Sequence, residues 1–513
     1  MRRRTEWNRM ANRILTILAL IVIPYSAQAA ITKGPYLVQP GQTSMTVMWE
    51  CDTTEPATVR WGTQPPLKKE TSVQPFDHKN GFYLYRVRIS DLEPDTKYQY
   101  KVILSDGESA ASYFRTSPPP NSPITFAAIG DSRTGHDIFR KVSMFLDQYA
   151  PGIIISMGDL VGLGKNFEEW GPHYFAPAAQ LINHIPLIST LGDHDDRGDG
   201  AVNFFYFFRP SPTKEHIWFS FDYGPAHFVS LDYRDEHNPQ MMEWFEKDMR
   251  ASKAKWKFVY LHRPTYNLGG HRMNWGRGVW PELYRKHKVD IVFTGHSHIY
   301  ERFYPMRPSD QPDAWPVTYI TTGGAGAGLY DTIPNPHLAR TESVNHILLV
   351  NIASDTLHLK ALRLDKSVMD DFRIIKKDDQ YDPSYLSLVK PQEEMDVYML
   401  FASRLLLRFN EIPTETKPAT VKLTFPKSGI NEDISFKVRL SKESAKHYRI
   451  DPIKGVVKPG EQFSTTVSLY AKHPVKTNGR YFDPPLVFEA EYKTSFTSGV
   501  VIGRQSRYYP PKK

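Results

Sequence analysis

Cysteine is almost missing from this chain: among 513 residues there is one, Cys51. No disulfide can form within it, so the fold must rest on hydrophobic cores, which large domains supply. Cys51 itself reads as a small apolar residue inside a strand. Long apolar runs are scarce too. The run at residues 14–23 is ten residues long, too short to span a bilayer. There is no internal repeat of the kind that builds solenoids or propellers. A uniform charge is also lacking, although the total is +8. Residues 1–29 hold five Arg and one Glu, and residues 396–513 hold 20 Lys and Arg against 11 Asp and Glu, which leaves 30–395 at −5. The basic excess therefore belongs to the C-terminal part, which either meets an anionic cell-envelope polymer or presents scattered cations on a solvated β-surface. No aromatic platform interleaves with those cations, which argues against nucleic acid.

What is present is enough for packed cores. The composition is 40% hydrophobic, 13% aromatic and 23% charged, which excludes a disordered tail or a membrane bundle. Arg2, Arg3, Arg4, Arg9 and Arg13 precede the apolar run, and Ala27-Gln28-Ala29 follows it as a small-x-small cleavage site. Residues 1–29 thus read as a signal peptide, with an uncleaved anchor as the competing reading, and the product is expected to be exported, either periplasmic or secreted.

The rest divides by pattern. Residues 30–117 alternate polar and apolar in short runs separated by turn signals, which predicts a β-sandwich of the immunoglobulin or fibronectin type. The stretch from Leu92 to Tyr98 resembles the tyrosine corner of such domains. Ser117-Pro118-Pro119-Pro120-Asn121-Ser122-Pro123 reads as a stiff linker, centred on 118–123. Residues 124–375 alternate strand-like and helical patterns, an α/β domain. Residues 376–395 are charged and irregular, a second linker. Strand patterns return from Val397, so 396–513 is expected to be a basic, Ig-like β-sandwich. Its turns around Tyr448-Arg449-Ile450-Asp451-Pro452 resemble those of the major-sperm-protein and PapD-like group, a likeness that carries no function. The glycines at 323, 324, 326 and 328 lack a Walker lysine and a following helix, so they predict close backbone packing beside the site rather than a phosphate loop.

Five blocks carry the chemistry: Gly130-Asp131-Ser132-Arg133, Gly158-Asp159-Leu160, Gly192-Asp193-His194-Asp195, Leu261-His262-Arg263-Pro264 and Gly295-His296-Ser297-His298-Ile299-Tyr300-Glu301-Arg302. Each sets an Asp or His at the end of an apolar run, where a strand stops, and such strand ends converge on one crevice. Carboxylates and imidazoles gathered there suit transition metals rather than Ca or Mg.

In this order the blocks resemble the calcineurin-like metallophosphoesterase superfamily. Gly34-Pro35-Tyr36-Leu37 and Ser44-Met45-Thr46-Val47-Met48-Trp49 narrow the likeness to the purple acid phosphatase branch, over about residues 31–375. The resemblance implies a two-sheet sandwich flanked by helices and two divalent ions of Fe, Mn or Zn. Asp159 would bridge them, Asp131 and His298 would hold the first, and Asp193, His262 and His296 the second. A water between the ions would attack phosphorus.

Three departures from that pattern matter. Purple enzymes have a tyrosine where this chain has Gly162, so no ferric-tyrosinate chromophore is expected. Other members have a His where Arg133 stands, which leaves the first metal short of a ligand. His136 is the nearest candidate for it, helix capping or exposure being the alternatives, while Arg133 would face the substrate phosphate or form a structural ion pair. Asp193 replaces an Asn and adds a charge that tightens divalent metal. By resemblance His194 or His271 would protonate the leaving group, His271 being preferred, with Asp195 ordering His194.

The function expected is that of an exported dinuclear phosphoric ester hydrolase, a phosphomonoesterase acting on a small-molecule ester. A phosphodiesterase on the same site and a catalytically degenerate envelope-binding protein are the alternatives. The oligomeric state is left open.

Overall fold

A computed structural model describes residues 30–105, 107–199, 201–208 and 216–510. The expected signal peptide lies outside the described residues.

The N-terminal β-layers form as the alternation predicts. One sheet runs in the order Ile31–Val38, Met45–Cys51, Phe82–Ile89, Asp77–Lys79, and a second is built on Ala57–Gly62 and Lys97–Leu104. Between them Trp49 stacks on Tyr85 at 5.2 Å, with Val47, Val59, Tyr100 and Phe114 buried alongside. Cys51 ends its strand fully buried, and burial pushes its thiol up to about 12. The Tyr98 hydroxyl accepts from the Glu93 amide at 2.9 Å and pins the corner. Two tyrosines tie this layer to the next. Tyr36 donates to the Phe207 carbonyl and Tyr100 to the Asn183 carbonyl, each at 2.6 Å.

The central part is a mixed α/β sandwich of two seven-stranded sheets. In the first, Leu187–Ser189, Ile153–Ser156 and Ile124–Ile129 lie parallel, and His346–Ala353 joins antiparallel. In the second, Ala226–Ser230, Trp256–Leu261, Ile291–Thr294 and Thr318–Thr322 are mutually parallel. These strands are buried along almost their whole length because both faces are covered. Phe126 of the first sheet meets Phe228 at 5.0 Å and Phe258 at 5.2 Å from the second, so aromatic rings fill the gap. Outside, the helix His136–Tyr149 buries Phe139, Val142, Phe145 and Leu146 at helical spacing. The helix Pro239–Ala251 is capped by Asn238, whose side chain accepts from the Met241 amide.

Residues 376–395 are not an irregular linker. Lys376 ends the strand Val368–Lys377 and pairs with buried Asp290 at 2.8 Å, and Tyr381 donates to the same carboxylate. Tyr385 is buried and bonds to Thr318. Charge in the sequence hid a buried ion pair, which composition cannot distinguish from a solvated one. Nor do strands resume at Val397. The helix Gln392–Ala402 spans the expected boundary and inserts Met395, Leu400 and Phe401 into the core. Strands then follow, with Phe401, Phe425, Phe436 and Phe463 at their centre. That core is continuous with the central sandwich.

Candidate metal centre

Both sheets point the carboxyl ends of their parallel strands at one crevice. Asp131, Asp159 and Asp193 follow the three parallel strands of the first sheet, while His262 and His296 follow Trp256–Leu261 and Ile291–Thr294 of the second. Backbone bonds lock the two sides together. Asp131 donates its amide to the Gly158 carbonyl, and its carboxylate accepts from the His296 amide at 2.9 Å. Three of these residues sit at positive φ: Asp131 at 62°, Asp159 at 58° and His296 at 65°. Strain of this kind persists only where the surroundings over-determine it, and it clusters at functional sites.

The glycines explain how the loops come so close. A Cβ on Gly323 would stand 2.8 Å from Asp131 Oδ2, and one on Gly326 would stand 2.4 Å from the Ser132 carbonyl. Close packing beside the site is what this loop provides.

The donor atoms fall into three groups, each within 4.8 Å: Asp131, Asp159 and His298; Asp193, His262 and His296; and Asp159, Asp193 and His194. Asp159 belongs to two of them and lies 3.4 Å from His262 in the other. Ring orientations are fixed from behind. His262 Nδ1 donates to the Met157 carbonyl at 2.8 Å and His298 Nδ1 to the Gly328 carbonyl at 2.6 Å, which turns each Nε2 inward. His262 Nε2 then faces Asp193 at 3.1 Å, Asp159 at 3.4 Å and His296 Nδ1 at 3.1 Å. Lone pairs converge there, and either a proton on His262 or a cation must separate them. The residues present fit a metal.

Electrostatics say the same. Burial opposes ionisation of Asp131, yet His298, His262 and Arg133 hold its carboxyl below the usual range. Burial likewise opposes the Asp193 charge, and His262 and His296 overcome it. Burial disfavours the His262 imidazolium, but Asp159, Asp193 and Asp131 push its pKa up to about 10. Burial, with the Asp159 charge, pushes Asp195 up to about 7.

The remaining expected residues are placed as follows. Arg133 donates to Asp159 at 2.9 Å and reaches His298 Nε2 at 3.3 Å, so it borders the centre. His194 donates Nδ1 to the Gly162 carbonyl, with Arg197 on its Nε2. His271 stacks on His296 at 4.3 Å, and its Nε2 bonds to the Tyr330 hydroxyl at 3.1 Å. Burial, His296 and Arg504 push His271 down to about 3. His136 is not in any of the donor groups. As the first residue of its helix it stacks on His173 at 4.0 Å instead. Asp195 does not order His194. It accepts from the amides of Asp159, Leu160, Val161 and Gly192 and holds the loop itself.

Sequence reasoning missed four contributors. Tyr330 lies on His298; Ser297 accepts from the His271 amide; Glu301 accepts from Asn267, Leu268 and Gly269; and Arg263 approaches Asp193 at 3.8 Å. Glu301 and Arg263 stood inside the five blocks, whereas Tyr330 had no signal beyond following the glycine loop.

Residues 124–300 match the calcineurin-like phosphoesterase family and residues 33–116 match the purple acid phosphatase N-terminal domain. The chain is 25% identical over 350 residues to phosphoenolpyruvate phosphatase of Allium cepa, covering 59% of this chain and 68% of that one. It is 26% identical over 259 residues to purple acid phosphatase of Glycine max, covering 44% and 54%. It thus spans about half to two thirds of these relatives' length. The purple acid phosphatase PPD1 from yellow lupin seeds superposes with a TM-score of 0.59 at 20% identity, over 70% of this chain and 76% of that one, a likeness of fold.

Proposed function

We propose that this chain, which carries a calcineurin-like metallophosphoesterase domain behind a purple acid phosphatase N-terminal domain, is an exported phosphomonoesterase that works with a pair of divalent transition ions. Asp159 carries this reading: it stands with Asp131 and His298 in one donor group and lies 3.4 Å from His262 of the other, and two cations held close together need a common anion between them. Asp131 and His298 would hold one ion, and Asp193, His262 and His296 the other. Bound there, the cations supply a nucleophilic water and polarise the phosphoryl oxygens. Arg133, already on Asp159, is within reach of a phosphate arriving at the centre and matches its oxygens in a fork. His271 bonds to the Tyr330 hydroxyl through Nε2, and its burial favours a neutral hydrogen-bonding role over that of a cationic acid. The similarity to plant phosphatases supports the activity, and residues 1–29 support export. The Tyr98 corner fits an Ig or fibronectin-like N-terminal sandwich, and the strands after Ala402 fit an Ig-like one.

Asp193 favours a second reading, a phosphodiesterase. Its charge, where the resemblance puts a neutral Asn, repels a dianionic monoester more than a monoanionic diester, and Arg263 at 3.8 Å offsets only part of it.

Metal analysis with hydrolysis assays tests both. Reconstitution with Mn or Zn is expected to give about two ions per chain and turnover of p-nitrophenyl phosphate that Asp159→Ala abolishes. Preference for bis-p-nitrophenyl phosphate selects the diesterase. Fewer than two ions and no hydrolysis of either compound leaves a degenerate binding protein.

A further inference from the structure

Four arginines of the C-terminal sheets stand together, and no acid pairs with them among the described residues. Arg408 and Arg507 are register partners on neighbouring strands, and Tyr481 faces Arg507 from the other side. Like charges set opposite each other on adjacent strands are destabilising. Arg408 and Arg480 both lie over the Tyr509 ring, at 5.5 and 5.2 Å, and Arg507 over Tyr481 at 5.2 Å. Arg504 follows the strand Ser498–Ile502 and shares the field of Arg507 and Arg408. Among the described residues none of the four makes an ion pair, and the buried Arg507 Nε has no hydrogen-bond partner. The tyrosine rings and the hydrogen bonds of Arg507 to Tyr509 and Tyr481 offset part of this repulsion, and a bound anion would offset the rest.

The array adjoins the metal centre. Arg272, next to His271, donates to the Ile502 carbonyl, 230 residues along the chain. This bond fixes the segment that carries Arg504 against the His271 loop. Tyr330 bonds to His271 and stacks on His298, so it joins that loop to the ligand cluster. The segment that carries Arg504 therefore lies against the His271 loop, beside the ligand cluster.

We propose that Arg504 is a substrate-binding residue for a second phosphate, with Arg408, Arg480 and Arg507 extending the track, so that the preferred substrate carries at least two phosphates joined through anhydride or ester bridges. This rests on the hydrolase reading and names its substrate class. The C-terminal sheets then complete the site rather than serve as a detached module.

Inorganic tripolyphosphate and p-nitrophenyl phosphate, assayed on the metal-loaded full chain, test it. In Arg504→Gln the kcat/KM for tripolyphosphate is expected to fall about ten times further than that for p-nitrophenyl phosphate, mostly through KM, as for loss of one charge-assisted contact. Arg504→Lys should recover part of the loss, and Arg480→Gln should show a weaker bias in the same direction. Equal losses on both substrates, or none, overturn the proposal. If the wild type hydrolyses neither compound, the hydrolase reading has failed, and calorimetric titration with tripolyphosphate decides the anion site separately. Binding that weakens about tenfold in Arg504→Gln upholds it, and identical isotherms for the two proteins refute it.

Discussion

The carboxylate of Asp195 receives the backbone amide of Asp159 at 2.8 Å, so one buried acid positions another without touching the centre that the second belongs to. Asp159 sits at φ 58°, and its loop closes against Gly192, whose amide Asp195 also accepts at 3.0 Å. Replacing Asp195 by Ala would leave several buried amides without partners. A loss of about 3 kcal/mol in urea unfolding is expected, with metal affinity down about 10- to 100-fold. An alanine variant with wild-type stability and metal binding would show that the loop holds its shape unaided.

Colour follows from Gly162. That residue offers its carbonyl to His194 and has no phenol, and Tyr330 directs its hydroxyl to His271 instead. Protein loaded with iron is expected to show no intense visible charge-transfer band. Absorption spectroscopy checks this, and a strong band between the near ultraviolet and the red would mean that a tyrosinate reaches the metal.

His227 sets a pH window for stability. Burial opposes its charge, but hydrogen bonds to Asp222 at 2.7 Å and Asp248 at 2.8 Å outweigh this and push its pKa from 6.5 up to about 9. A raised histidine pKa stabilises the fold fully below the unfolded value and loses that contribution as pH climbs through the folded one. The contribution, about 3 kcal/mol, should be complete below about pH 6 and fade towards pH 9. Urea unfolding of the wild type and His227→Gln at several pH values tests this. The gap between them is expected to close as pH rises, and a constant gap contradicts the assignment.

Lys376 and Asp290 form a pair in which both side chains are almost wholly buried. Lys376→Ala would strand the carboxylate in the core at a cost of about 3–5 kcal/mol. The double replacement Lys376→Met with Asp290→Leu should cost clearly less, because no unpaired charge is left. Thermal unfolding of the three proteins decides it, and a double variant no better than the single one would point to lost packing rather than lost pairing.

Much of the centre was legible in the sequence because each ligand is announced locally. An apolar run long enough for a buried strand ends in Gly-Asp, Gly-His or Leu-His, and the strand end fixes where the side chain stands. That Asp131, Asp159, Asp193, His262 and His296 gather at one crevice follows from parallel strands aiming one way, whereas their sorting into two ion sites with His298 came from the family resemblance. His136 misled for the same reason, since nearness in sequence to Asp131 said nothing of the ring's direction. Asp195 misled because a carboxylate beside a histidine in sequence turned instead to the amides of another loop.

By itself, then, the sequence determined strand and helix periods, the chemistry of the donor set and the order of the folded parts, all of which depend on residues close in the chain. Only the tertiary structure decided what long-range packing controls. Lys376 and Tyr381 are held by Asp290, Tyr330 sits between two histidines, and Arg272, beside His271, bonds to the distant Ile502. Burial and pairing with distant groups set those outcomes, and a charged residue reads the same in sequence whether it ends in water or in the core.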